Sequence, residues 1–111
     1  MDNDVWRIFS LERLTGMIEG RAPAFAEFLR SASLSCAIYR LPAGAKDMQA
    51  PHLEDEVYFV VNGRAWLQVG EEKREIRAGD ILYVQATARH SFFDIDEDLT
   101  LIAVFGPARP R

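Results

Sequence analysis

From residue 34 onward, apolar and polar side chains form short runs, each closed by residues that favour turns. Side chains alternate between the two faces of an extended chain, so these runs predict strands packed around a core. They cover residues 34–41, 56–61, 64–69, 73–77, 81–84, 89–95 and 99–105. Pro42-Ala43-Gly44 ends the first of them. Asn62-Gly63 predicts a tight hairpin turn, because both residues tolerate positive φ. Gly70-Glu71-Glu72, Ala78-Gly79-Asp80 and the acidic Asp96-Glu97-Asp98 supply the other turns. Many short strands at close, regular spacing indicate an all-β sandwich or barrel.

The first thirty residues follow a different period. Ser10 is placed to cap a short helix with Leu11, Leu14, Met17 and Ile18 on one face and Gly20 as its stop. Pro23 separates that helix from residues 24–30, whose pattern fits either a strand or a helical turn. The expected organisation is an N-terminal helical and strand extension over 1–33 packing on the barrel, the barrel itself over 34–106, and a disordered tail over 107–111.

Composition narrows the function classes. A chain of 111 residues with 49% hydrophobic content fills one core and is too apolar to stay disordered. No apolar run reaches the roughly 18 residues of a membrane span. Met1-Asp2-Asn3-Asp4 is acidic where a secretory signal starts basic, which predicts a cytoplasmic protein. Thirteen basic against seventeen acidic residues give a net charge of −4, which disfavours nucleic acid as a partner. The lone cysteine, Cys36, has no internal disulfide partner and lies in an apolar run, so it reads as a packing residue.

Only two histidines occur, His52 and His90, both in strand-like segments. Extended backbone puts His52, Glu54, Glu56 and Tyr58 on one face, with Val57, Phe59 and Val61 on the other. A strand with bulky residues on both faces is covered on both, so Glu56 is expected to be at least partly buried. A buried carboxylate is costly unless it is paired, hydrogen-bonded or bound to a metal. The same alternation groups Phe92 and Asp94 with His90. The plainer alternative makes 54–56 an acidic surface turn and the histidines hydrogen-bonded barrel residues. Tyr58, Trp66, Tyr83 and Phe92 read first as aromatic core. Glu54 either points to solvent or joins the ligands.

At these residues the chain resembles the cupin superfamily of double-stranded β-helix, or jelly-roll, barrels. The first cupin motif is Gly, five residues, His-x-His, three or four residues, Glu, six residues, Gly. Gly44, His52, Glu56 and Gly63 stand at those spacings, with Ala50 in place of the first His. The second motif is Gly, five residues, Pro-x-Gly, two residues, His, three residues, Asn. Gly79 and His90 match it, while Gln85, Thr87 and Asp94 replace the Pro, Gly and Asn. The resemblance implies a barrel that brings His90 opposite His52 and Glu56, and a divalent metal held by those three. Two imidazoles and a carboxylate suit Fe, Mn, Ni, Co or Zn and leave coordination positions open. Glu54, Tyr58, Phe92 and Asp94 are the further candidate site residues.

The functional expectation is a cupin that binds or acts on a small oxygen-rich molecule, a carboxylate or diol, by isomerisation, decarboxylation or dioxygen insertion. The alternative is a non-catalytic ligand-binding or structural module. The resemblance also implies a homodimer, with segment 5–33 as the candidate partner surface.

Overall fold

The computed structural model describes residues 5–20, 22–47 and 53–107. Helix α1, Leu11–Gly16, starts where the sequence places it: the Ser10 side chain accepts a hydrogen bond from the Arg13 backbone N–H. It ends at Gly16, a turn earlier than expected, and Met17 and Ile18 follow as a turn. Leu14 and Ile18 bury against Ile38 to form a small second core. The ambiguous segment 24–30 is a strand, β1 (Ala24–Arg30), antiparallel to β2 (Ser35–Leu41). Among the described residues no helix is long and apolar enough to cross a membrane.

The remaining strands are β3 (Glu54–Val69), β4 (Glu72–Arg77), β5 (Ile81–Val84) and β6 (His90–Pro107). The sheet order is β1-β2-β6-β3-β4, with β5 also paired to β3. All of the pairings are antiparallel. The all-β class and barrel architecture read from the sequence are those observed.

Two expected turns are absent. Neither Asn62-Gly63 nor Asp96-Glu97-Asp98 reverses the chain; each lies inside a long strand, and the two strands pair across both places, Asn62 with Thr100 and Arg64 with Glu97. The ladder between β3 and β6 runs from Glu54↔Pro107 to Val69↔His90, and its register shifts between Val60 and Trp66. Gly63 sits in that irregular stretch at φ +98, where a Cβ would lie 2.8 Å from Leu99 Cα and would also strike the Asp98 carbonyl. Glycine serves here to let two backbones touch where a strand bends. Asp98 is not merely solvated: its carboxylate binds Arg40 Nη2 at 2.9 Å and accepts from the Ala43 N–H at 2.8 Å.

These irregularities change which residues face inward. On β3 the buried side chains are Glu56, Tyr58 and Val60, then Ala65 and Leu67. On β6 they are His90 and Phe92, then Ile95, Leu99, Leu101, Ala103 and Phe105. Each strand switches from even to odd positions, so both of its halves serve one barrel interior. The switch in β6 occurs at Asp94, whose φ is +46. The core gathers Leu41, Tyr58, Val60, Leu67, Val84, Phe92, Leu99 and Leu101.

Candidate metal centre

Glu56 lies in the middle of a three-strand ladder, opposite Phe105 of β6 on one side and Val84 of β5 on the other. Two flanking strands leave its backbone little freedom, so its carboxylate is aimed by the sheet. It is 1% exposed. His90 opens β6 opposite Val69, at the far end of the same ladder, and is 5% exposed. The barrel brings the two together: His90 Nε2 stands 3.1 Å from Glu56 Oε2.

The orientation of His90 is set by its other nitrogen. Nδ1 lies 2.9 Å from the carbonyl oxygen of Ala88, an acceptor only, so Nδ1 carries a proton and donates. That leaves Nε2 directed at the carboxylate. In the metal-free chain the arrangement holds His90 above the ordinary histidine range. The hydrogen bond to Glu56 is the largest cause; the Ala88 carbonyl and the charges of Glu56 and Asp47 add to it, and burial opposes it.

Tyr58, two residues beyond Glu56, turns its hydroxyl into the same space. It donates to Glu56 Oε2 and lies 3.1 Å from His90 Nε2. Its ring stands edge-on to Phe92, with centroids 5.3 Å apart. Both rings are buried, as inward-facing aromatic core residues should be, and they close the site from below.

The other sequence candidates fall elsewhere. His52 and Ala50 lie outside the described residues. Glu54 is half-buried at the start of β3 and lines a hollow of about 110 Å³ with Arg30, Ser31 and Phe105. Asp94 does not share the face of His90. The left-handed backbone at Asp94 turns its side chain out, where it lines an open groove of about 690 Å³ with Lys46, Trp66 and Phe93. Trp66 and Tyr83 are not core: they are 37% and 65% exposed on outer faces. Cys36 is half-buried, and desolvation raises its thiol pKa, which suits a packing residue. Among the described residues no cluster of three or more His, Cys, Asp or Glu forms, and the pair Glu56–His90 is the described part of the expected set.

Sequence reasoning missed Asp47. Its carboxylate takes the Tyr39 hydroxyl at 2.7 Å on one oxygen and the Phe92 backbone N–H at 2.9 Å on the other. It thereby fixes β6 two residues beyond His90. Nothing in its neighbourhood, Ala45-Lys46-Asp47, marks it as more than a surface charge.

Thr87 and Asp94 are the non-glycine residues with positive φ among those described, at +65 and +46. They occupy the positions where the second cupin motif carries Gly and Asn, the residues that tolerate this backbone best. The motif and the backbone therefore agree even where the side chains depart.

The sequence pattern of the cupin domain family matches residues 37–105. An uncharacterized protein of Streptomyces coelicolor is 42% identical over 101 residues, spanning 91% of this chain and 96% of its own. A solved structure from Thermus thermophilus, TT1209, superposes with a TM-score of 0.76 at 26% identity, covering 93% of this chain and 98% of that one. A Ralstonia eutropha protein named as a candidate mannose-6-phosphate isomerase superposes with a TM-score of 0.70 at 25% identity, covering 80% and 88%.

Proposed function

The chain belongs to the cupin domain family, and on that premise we propose that it binds one divalent transition metal through His52, Glu56 and His90 and presents it to a small oxygen-rich molecule. The single observation that carries this reading is the approach of His90 Nε2 to a fully buried Glu56 carboxylate, 3.1 Å away. The donor set fits the metal: an imidazole nitrogen whose tautomer is fixed by a backbone carbonyl, next to an ionisable oxygen that the fold has taken out of water. Fe, Mn, Ni, Co and Zn all accept such donors.

When bound, the metal would act as a Lewis acid on the oxygens of a chelating carboxylate or diol. The protein's own residues do the rest. Ala88 holds the His90 ring in place, Phe92 and Tyr58 keep water from beneath the site, and Asp47 anchors the strand that carries His90. Isomerisation, decarboxylation and dioxygen insertion are the reaction classes this arrangement supports. The name of the Ralstonia relative favours isomerisation of a phosphorylated sugar among them.

The test is elemental analysis of the purified protein with chelator competition. One metal per chain, lost in Glu56→Gln and in His90→Ala, supports the proposal; protein that binds none of the five metals ends it. A second reading, a non-catalytic ligand-binding or structural module, is favoured by the hydrogen-bonded closure of Tyr58, Glu56 and His90 on one another. It expects a stable, ligand-competent barrel without metal.

The same reading takes the protein as a cytoplasmic homodimer that pairs through segment 5–33. Val5, Trp6 and Ile8 on that segment are exposed apolar side chains, which suits burial against a second copy. Light scattering over a concentration series tests it, and a monomer at all concentrations refutes it.

A further inference from the structure

The position of Ala50 leaves the proposed metal one imidazole short of the cupin pattern. The structure offers a different donor. Tyr58 Oη, Glu56 Oε2 and His90 Nε2 are mutually in contact: Oη and Oε2 share a hydrogen bond, Oη and Nε2 are 3.1 Å apart, and Nε2 and Oε2 are 3.1 Å apart. Adjacent ligands at about 2.1 Å from an octahedral ion stand about 3.0 Å from one another. The three atoms therefore have the spacing of one triangular face of a metal's coordination shell.

From this geometry we infer that Tyr58 is itself a metal ligand, binding as phenolate, and that the site is suited to iron. The inference rests on the metal-binding reading above and goes beyond it in the identity of the donor and of the ion. The hydroxyl is not free to leave, since the ring is packed edge-on against Phe92 and is 1% exposed. An ion held by Glu56 Oε2 and His90 Nε2 on this side meets it directly. A phenolate is a hard, anionic oxygen donor, so it adds most to ferric iron and least to softer ions. On coordination the O–H bond breaks, the oxygen keeps the electron pair that forms the Fe–O bond, and the proton is released to solvent.

The experiment uses the full chain, stripped of metal and titrated with ferric citrate. Phenolate bound to ferric iron absorbs visible light by charge transfer, whereas a tyrosine that only hydrogen-bonds to a ligand does not. Affinity alone does not separate these roles, because loss of an outer hydrogen-bond partner already costs about 10–100-fold. The wild type is expected to develop the band at one iron per chain, and Tyr58→Phe to lose it. The chain has three tyrosines, so Tyr39→Phe/Tyr83→Phe leaves Tyr58 as the sole source, and that variant should keep the band even if Tyr58→Phe does not fold. Iron bound without a band overturns the role of Tyr58 and leaves the metal site standing. Failure of the wild type to bind iron or any other of the five metals overturns both.

Discussion

The imidazole of His90 is anchored by Ala88: its Nδ1 donates to a carbonyl two residues away at 2.9 Å, which leaves Nε2 to face the buried carboxylate of Glu56. The pairing is made within a single turn, so it forms with the local chain and does not depend on a bound ion.

His90→Ala is expected to abolish metal binding and leave the barrel folded, because the hydrophobic core is built from Leu41, Val60, Phe92, Leu99 and Leu101 and not from the site. His52→Ala should do the same. Elemental analysis with circular dichroism on each variant decides; metal retained in both removes the assignment.

Glu56→Gln should weaken metal binding far more than Glu54→Gln. Both changes keep shape and remove charge. Glu56 faces His90 in the interior, whereas Glu54 lies half-buried at the edge near Arg30. Chelator competition run side by side gives the ratio; a larger loss in Glu54→Gln would relocate the site.

Gly63→Val is expected to destabilise the protein by roughly 1–3 kcal/mol or more, the scale of backbone strain at such a position. A side chain there would collide with the Asp98–Leu99 backbone as well as resist φ +98. Chemical denaturation reads the loss, and an unchanged midpoint would mean that β3 and β6 do not touch at this bend.

Thr87→Gly should stabilise it. A β-branched residue at φ +65 is strained, and relief of that strain exceeds the extra unfolded-state freedom of glycine, leaving a gain of about 1 kcal/mol. A lower melting temperature in the variant would show that Thr87 makes compensating contacts.

Metal-free stability and metal affinity should move in opposite directions with pH. His90 is held above its ordinary range in the fold, chiefly by Glu56. A raised folded pKa means the charged form is stabilised; the contribution is complete below the unfolded value of about 6.5 and is lost as pH rises through the higher folded value. A metal needs the Nε2 lone pair, so its affinity increases over that same window. Thermal melts of stripped protein beside metal titrations across the range test this, and a stripped protein that gains stability on going alkaline contradicts it.

How far the sequence could be read follows from the range over which each signal acts. Burial of Glu56 was legible because alternation along 54–61 is local and unbroken. The exit of Asp94 from the face of His90 was not, since one residue at positive φ reverses the alternation after it. Asn62-Gly63 and Asp96-Glu97-Asp98 look like turns on local composition, yet pairing of β3 with β6 across both places keeps them extended. Tyr58 could be assigned to the interior, but the destination of its hydroxyl depends on His90, thirty-two residues away. The first motif's His52 belongs to the part of the site outside the described residues.

The shared ladder of β3 and β6 has a consequence for the order in which a ribosome could deliver this protein. β3 emerges with only its local neighbours β4 and β5 to pair with, and β2 with only β1. The long edges that β2 and β3 both offer to β6 stay unsatisfied until residues 90–107 have been made, because Ser35 awaits Phe105 and Glu54 awaits Pro107. Pairing over such sequence separations is slow and leaves exposed strand edges in the interim. Glu56 and His90 therefore meet late in the life of the nascent chain, and metal captured earlier would have to be held by an unfinished barrel.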